Sequence, residues 1–168
     1  MTDALATLPS TVDFERKICA PAVLPSRLSA LARPLVFTNG CFDILHRGHV
    51  TYLCQARALG ASLLVALNSD ASVRRQGKGD QRPINLLADR VAVVAALASV
   101  DVVTWFDEDT PLELIRMLQP DVLVKGGDWA VDQIIGAPDV QSWHGSVHSI
   151  PVLHPASTTS LLRRIRGY

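Results

Sequence analysis

Short apolar runs alternate with amphipathic stretches along most of the chain. Four runs have the composition of strands: LVFTN at 35–39, SLLVALN at 62–68, VDVVTWF at 100–106 and DVLVK at 121–125, and a last short strand is expected near 150–153. Nearly continuous apolar runs of this length are typical of strands buried on both faces of a sheet. Strands that alternate with helices favour a parallel sheet, so the pattern predicts a doubly wound α/β fold in a single domain.

Apolar residues with helical spacing occupy segments between these strands. A first helix is expected to end at Gly60, and Thr110, Pro111 and Glu113 have the spacing of a capping box that begins a later helix. The polar stretch 69–83 and the segment 128–149 are predicted to be irregular. The residues predicted to face inward are Val50, Leu53, Cys54 and Ala58, then Leu87, Val91, Val94, Ala95 and Ala98, and finally Leu161, Leu162 and Ile165.

Residues 1–33 differ from the rest because prolines interrupt them and only 26–32 have the pattern of a short helix. We predict an N-terminal extension, residues 1–33, whose short helix packs against a main domain formed by residues 34–168.

The composition limits the classes of partner. Hydrophobic residues make up 48% of the chain and charged residues 19%, which is typical of an ordered globular protein. Lys plus Arg equals Asp plus Glu at 16 each, so no overall field attracts nucleic acid or an anionic membrane. Three cysteines without a CxxC pattern favour a reducing compartment, and neither a secretory signal nor a membrane-spanning run is present. We therefore expect a cytoplasmic location.

Polar and glycine residues are concentrated where the predicted strands end. Because the carboxyl ends of parallel strands meet at one edge of the sheet, where such folds bind ligands, these residues predict a site there. The alternative is that they are ordinary polar loops. They are Thr38, Asn39 and Gly40, then Asn68, Ser69 and Asp70, then Lys125, Gly126, Gly127 and Asp128, and finally Ser157, Thr158, Thr159 and Ser160.

His46 and His49 lie where the first helix is expected to begin, with Gly48 between them. Free backbone N–H groups and the helix dipole favour an anion there, and a glycine lets a phosphate approach the backbone. A helical zinc pair usually has i, i+4 spacing and further ligands, which are not evident here. A phosphate clamp is favoured, but packed or capping histidines remain an alternative.

Arg74, Arg75, Lys78 and Arg82 occupy the polar stretch after the second strand. At a phosphate site they would form a cationic lid, whereas in isolation they would be a solvated run of charge. Neither a Walker loop nor a GxGxxG motif follows the first strand, so the chain handles phosphate by another device.

The segment TNGCFDILHRGHVTYL resembles the GxFDxxHxGHxxxL signature of the cytidylyltransferase-like nucleotidyltransferases. RPINLLADR, VKGGDW and STTS are similar to the branch of that family that makes ADP-heptose for lipopolysaccharide from ATP and D-glycero-D-manno-heptose 1-phosphate. The resemblance covers about residues 34–166 and leaves the N-terminal extension unmatched. It implies a Rossmann-like sheet.

The resemblance also implies roles for particular residues. The catalytic residues would be His46, His49 and Lys78. Nucleotide and phosphate contacts would come from Thr38, Asn39, Gly40, Phe42, Gly48, Arg82, Lys125, Gly126, Ser157, Thr158 and Thr159. The sugar phosphate would contact Asp43, Asn68, Asp70 and Asp128. No protein ligand of a metal is assigned, because Mg²⁺ would arrive with ATP and be held mainly by phosphate oxygens and waters.

The same resemblance implies ATP and heptose 1-phosphate as substrates, a separate heptose kinase in the pathway and a homo-oligomer, with no nucleic-acid or membrane partner. Two rival functions stay open. One is another transferase of the family, such as a CTP:glycerol-3-phosphate cytidylyltransferase, and the other is a nucleotide-binding regulatory module without turnover.

Overall fold

The structure is a computed structural model that describes residues 13–77, 81–151, 153–154, 158–165 and 167. The predictions for Lys78 and Ser157, and for the side chain of Thr159, concern groups outside this description.

Five parallel strands form one sheet with the order β3-β2-β1-β4-β5. The chain moves outward from β1 through β2 to β3 and then crosses to the other side of β1, so the strand order reverses between β1 and β4. This arrangement confirms the predicted doubly wound α/β fold. The strands are β1 (Leu35–Gly40), β2 (Ser62–Asn68), β3 (Val102–Phe106), β4 (Val122–Gly126) and β5 (Ser146–Ile150).

Helices cover both faces of the sheet. The α-helices are α1 (Leu24–Arg27), α2 (Arg47–Arg57), α3 (Asp70–Arg75), α4 (Leu87–Ala95), α5 (Leu112–Leu118), α6 (Ala137–Ser142) and α7 (Thr158–Ile165). Short 3₁₀ helices occupy Asp13–Lys17, Leu28–Ala30 and Val131–Gln133. In the part of the chain that the structure describes, no helix is long and apolar enough to cross a membrane.

The pleat of the strands divides the core into two clusters. Val36 packs in a first cluster with residues of α2 and α4, whereas its neighbour Phe37 packs in a second cluster with residues of α5 and α6. Successive side chains of a strand point to opposite faces, and all seven residues of β2 are buried, as its continuous apolar run predicts.

Two helices lie in segments that the sequence predicted to be irregular. In α3 the Ser69 side chain accepts a hydrogen bond of 3.0 Å from the N–H of Ser72, so a serine cap begins a helix whose residues are mostly polar. In α6 the helix follows Gly136, whose φ of 85° favours glycine. Both helices have six residues, too few for a clear apolar period.

Other boundaries and faces differ from the predictions. The capping box is wrong, because α5 begins at Leu112 after Pro111 without a side-chain cap, and β5 begins at Ser146 rather than near 150. Val50 is 39% exposed and Cys54 is also exposed, because Tyr52, Leu53 and Ala56 form the buried face of α2. Ala98 lies beyond the end of α4, and Ile165 is 76% exposed.

The described part of the N-terminal segment packs against the β3 edge of the sheet. Ile18 forms a bridge with Val103, the N–H of Cys19 donates to the carbonyl of Val103 at 2.8 Å, and Leu24 is fully buried in the second cluster. The helix predicted at 26–32 is observed in part, as the end of α1 and the 3₁₀ turn Leu28–Ala30. The division of the chain at residue 34 stays a prediction.

Candidate active site

A pocket of about 310 Å³ opens at the carboxyl ends of β1 and β4, where the strand order reverses. Among the described residues that line it, none is an acid, and several carry N–H groups or a positive charge. Such a lining suits an anion. The lining residues are Asn39, Gly40, Cys41, Phe42, His46, Gly48, His49, Tyr52, Lys125, Gly126 and Thr158.

The two histidines form a stacked pair at the start of α2. Their ring centroids are 3.9 Å apart and the rings are inclined by 29°. His46 occupies the N-cap position in an extended conformation, with φ −143° and ψ 170°, so its carbonyl accepts the N–H of His49 at 2.9 Å. The His49 ring also contacts Phe42 edge-on, with a centroid distance of 5.3 Å. The pair therefore lies beside the free N–H groups of the first turn of α2, as the phosphate-clamp interpretation requires.

Both imidazoles are biased toward the neutral form. Burial lowers the pKa of His46, and burial together with repulsion from His46 lowers the pKa of His49 to about 4. The Nδ1 atoms of both rings are buried without a hydrogen-bond partner. A neutral imidazole carries one N–H, so each ring can donate one hydrogen bond to an anion in the pocket.

The lowered pKa of His49 predicts a loss of stability in mild acid. The unfolded chain binds a proton at His49 below about pH 6.5, whereas the folded chain does so only near pH 4. Stability should therefore be fully present above pH 6.5 and should fall as the pH drops from 6.5 toward 4, by roughly 2 kcal/mol after allowance for partial exposure of the ring. Urea denaturation at several pH values measures this slope. A His49→Gln variant should show a shallower slope over the same range, and equal slopes would contradict the prediction.

Gly48 leaves room for the His46 ring. A Cβ atom at this position would lie 3.0 Å from Cε1 and Nδ1 of His46 and 3.3 Å from the carbonyl oxygen of His154. The lack of a side chain at Gly48 thus makes space for the His46 ring, and it would also let a phosphate approach the backbone.

The Gly48→Ala substitution should separate activity from stability. Displacement of the His46 ring is expected to lower kcat about tenfold, whereas the better helix propensity of alanine, about 1 kcal/mol, offsets the tighter contact. Release of pyrophosphate, the activity that the family resemblance implies, and thermal denaturation measure the two effects. Val50→Ala, at an exposed position of the same helix, is the control. An unchanged kcat in Gly48→Ala would contradict the role of Gly48 in leaving space for a catalytic His46 ring.

Tyr52 is a pocket residue that the sequence analysis missed. Its ring lies over Gly126, where a Cβ atom would approach the ring to 3.2 Å, and its hydroxyl hydrogen-bonds the Thr38 hydroxyl and the Val124 carbonyl, the latter at 3.2 Å. Burial raises the pKa of the Tyr52 hydroxyl well above its usual value. Thr38 is fully buried by this contact and does not line the pocket, so it supports Tyr52 rather than facing a ligand. The feature of the sequence that could have identified Tyr52 as a pocket residue is its position three residues after His49.

Asp43 and Arg82 pair with each other instead of facing the pocket. Their Oδ2 and Nε atoms are 2.5 Å apart, and their side chains are 0% and 10% exposed. The Asp43 carboxylate also accepts the N–H groups of Ile84 at 2.8 Å and Asn85 at 2.9 Å. This arrangement fixes the segment that precedes α4. Neither residue lines the pocket, and their substrate contacts stay predictions.

Arg90, for which the sequence predicted no role, connects two loops and the start of α3 near the pocket. Its fully buried guanidinium donates to the Cys41 carbonyl at 2.7 Å, to the Asn85 carbonyl at 3.0 Å and to the Asp70 carboxylate at 2.7 Å. Asn68 is also internal, because its side-chain amide donates to Ser72 Oγ at 3.0 Å. Asp70 and Asn68 do not line the pocket, so their predicted contact with a sugar phosphate has no support from this geometry.

The predicted cationic lid is only partly a loop. Arg74 and Arg75 lie in α3, and Arg75 binds the Asp109 carboxylate at 2.7 Å and the Asp107 carbonyl, away from the pocket. Neither Arg75 nor Arg82 lines the pocket. Asp128 is exposed and does not line the pocket either. Asn39, Gly40, Phe42, Lys125, Gly126 and Thr158 are brought together there as predicted, with Cys41 as a further lining residue that was not predicted.

Comparison with known proteins agrees with this geometry. A family model described as cytidylyltransferase-like matches residues 37–165. The chain belongs to the cytidylyltransferase-like family. The family model spans all of the sheet but the first two residues of β1, together with the histidine pair and the whole of α7, and it leaves out the N-terminal segment.

Two curated relatives of this cytidylyltransferase-like chain differ in length. It is 56% identical over 159 residues to the D-beta-D-heptose 1-phosphate adenylyltransferase of Bordetella bronchiseptica, which is 94% of this chain and 98% of that protein. It is 56% identical over 133 residues to the bifunctional protein HldE of Ectopseudomonas mendocina, which is 79% of this chain but 28% of that protein. The first match extends well into residues 1–33, so the expectation that this segment has no counterpart is wrong.

Solved structures share the fold. A lipopolysaccharide core biosynthesis protein from Thermoplasma volcanium matches with a TM-score of 0.58 and 26% identity over 73% of this chain and 98% of that chain. A pantoate-beta-alanine ligase from Francisella tularensis matches with a TM-score of 0.59 at 13% identity over 89% of this chain and 76% of that chain, which shows a common fold alone.

Proposed function

We propose that the protein transfers the adenylyl group of ATP to D-glycero-D-manno-heptose 1-phosphate and releases ADP-heptose and pyrophosphate. The observation that carries this proposal is the 56% identity to a heptose 1-phosphate adenylyltransferase over almost the whole length of both chains. The pocket supports the chemistry, because its described lining contains the histidine pair and no acid, and the reaction brings several phosphates together.

The reaction needs positioning and charge stabilisation rather than a covalent enzyme intermediate. An oxygen of the sugar phosphate attacks the α-phosphorus of ATP and forms the new P–O bond. The bond from the α-phosphorus to the oxygen bridging the β-phosphorus breaks, and pyrophosphate leaves with the electron pair. His46, His49 and the N–H groups that begin α2 would donate hydrogen bonds to the charge that develops on the phosphoryl oxygens. Lys125, at the opposite wall, would neutralise part of it.

Magnesium would enter this pocket as a companion of the nucleotide. In the described part of the chain no group of three or more His, Cys, Asp or Glu side chains could hold a metal ion. We propose that Mg²⁺ enters on the phosphates of ATP and keeps phosphate oxygens and waters as its main ligands, which is the usual way in which proteins bind this ion with nucleotides. A cytoplasmic location, a separate heptose kinase and a homo-oligomer stay predictions.

The test is direct. Purified protein is incubated with ATP, Mg²⁺ and heptose 1-phosphate, and both pyrophosphate and ADP-heptose are measured, the latter by mass spectrometry. Parallel reactions with CTP and with glycerol 3-phosphate address the rival cytidylyltransferase. Product only with CTP and glycerol 3-phosphate would support that rival, and tight ATP binding without product from either pair would support a regulatory module.

A further inference from the structure

A second pocket, of about 270 Å³, opens beside the first one. The two pockets share Asn39 and Lys125, so they are neighbours at the rim of the sheet. The second pocket is lined by Asn39, Pro111, Leu123, Lys125, Trp129, Gln133, Ile134 and Ile135.

The pleat of β1 and β4 places these pockets on opposite faces of the sheet. Phe37 and Leu123 belong to the second core cluster, and Asn39 and Lys125 follow each of them by two residues, so they project from the same face. At Gly40 and Gly126 the side-chain direction points to the other face, toward Phe42 and Tyr52 respectively, which both line the first pocket. Asn39 and Lys125 therefore stand on the rim where the two pockets meet.

The second pocket has the chemistry of a carbohydrate site. The Trp129 ring is held in place because its Nε1–H donates to the Gly126 carbonyl at 3.2 Å and its backbone N–H donates to Ser149 Oγ at 3.1 Å, yet the residue is 50% exposed. A fixed and accessible indole offers an apolar face to the C–H groups of a sugar ring. The Gln133 amide can bond hydroxyl groups, and the Lys125 ammonium can bond a phosphate.

The first pocket has a different character. Its histidine pair and the start of α2 suit the triphosphate of a nucleotide, as argued above. A sugar phosphate seated in the second pocket would present its phosphate at Lys125 and Asn39, next to the α-phosphorus of that nucleotide. The two reactants would then approach each other from the two faces of the sheet, which is the kind of fixed geometry that accelerates a transfer reaction.

We propose that this second pocket binds the sugar ring of the acceptor, with Trp129 and Gln133 as specificity-determining residues. The inference rests on the proposed function, in that it takes a sugar phosphate as the acceptor. It also provides an acceptor site that the internally bonded Asn68 and Asp70 do not offer.

Trp129→Ala removes the indole face proposed to contact the sugar ring. Gln133→Glu replaces an amide with a carboxylate of the same size that repels a phosphate. Each should raise KM for heptose 1-phosphate about tenfold or more, while KM for ATP changes less than twofold. Both residues are exposed, so the variants should fold. Val131→Ala is the matched control, because Val131 begins the same 3₁₀ turn as Gln133, is 38% exposed and does not line the pocket.

The two proposals fail in different ways. A wild-type protein that makes no ADP-heptose contradicts the proposed function. In that case calorimetric titration with heptose 1-phosphate tests the second pocket by itself. Binding to the wild type that is weaker in Trp129→Ala supports the assignment, and any other result contradicts it. If the wild type is active, a Trp129→Ala variant that raises KM for ATP instead, or that leaves both KM values unchanged, overturns the assignment of the pocket.

Discussion

Replacing either His46 or His49 with alanine should lower kcat for pyrophosphate release on the order of 100-fold. Each imidazole lies at the start of α2 and has the lowered pKa of a neutral donor, so each substitution removes an N–H aimed at phosphoryl charge. Binding of ATP should weaken less than kcat falls, because the charge on the transferred group rises in the transition state.

The stacking of the two rings leads to a further prediction, for the variant that lacks both histidines. Since the rings are in contact at 3.9 Å, the double variant should lose less than the product of the two single losses. His148→Ala is the control, because His148 is exposed in β5 and bonds only Ser146 among the contacts described. If both single variants keep wild-type kcat, the histidines are packing groups and the catalytic interpretation fails.

Arg90→Met should cost about 3 kcal/mol of unfolding free energy. The substitution keeps much of the volume but leaves the Asp70 carboxylate without its buried cation and two carbonyls without their donor. Urea denaturation measures the loss, and an unchanged m-value would show that the fold itself is retained.

Arg116→Met provides the matched control. Like Arg90, Arg116 binds a carboxylate at 2.7 Å, here that of Asp139 through Nε, but its side chain is 50% exposed, so its loss should cost less than about 1 kcal/mol. Because Arg90 also holds the Cys41 carbonyl beside the pocket, only Arg90→Met should raise KM for ATP. Equal costs for the two variants would contradict the role given to Arg90.

The sheet was predictable because burial on both faces leaves a strong trace in the sequence. SLLVALN at 62–68 is bounded as observed, and the parallel arrangement of the strands follows from their alternation with helices. The weakest predictions concern short elements such as α3 and α6, whose start depends on a local cap and which bury only a few residues. Residue type alone does not show that Ser69 will cap a helix rather than end a loop.

The site was predictable where backbone position alone brings residues together. Gly40, His46, His49, Lys125 and Gly126 converge because strand ends and helix starts share one rim. The prediction that Arg75 contributes to a cationic lid failed because it depended on where a long side chain points. A cation near a phosphate site can also pair with a carboxylate of the protein itself. Asp109 lies within reach of Arg75 across the β3 loop, and no local pattern in the sequence shows this pairing.

The strands of the sheet differ in how far they are buried from solvent. All of β2 is buried, whereas β5 at one edge is mostly exposed or half-buried. The pocket lies between these extremes, with one wall on β1 and another on β4 and the start of α7. Opening of that edge would remove one wall while the β1–β3 half stays folded, so local unfolding and occupancy are linked. A ligand that bridges Gly40 of β1 and Gly126 of β4 would therefore bind only the closed form, and it would shift the equilibrium between open and closed edge toward the closed one by the factor 1 + [L]/Kd.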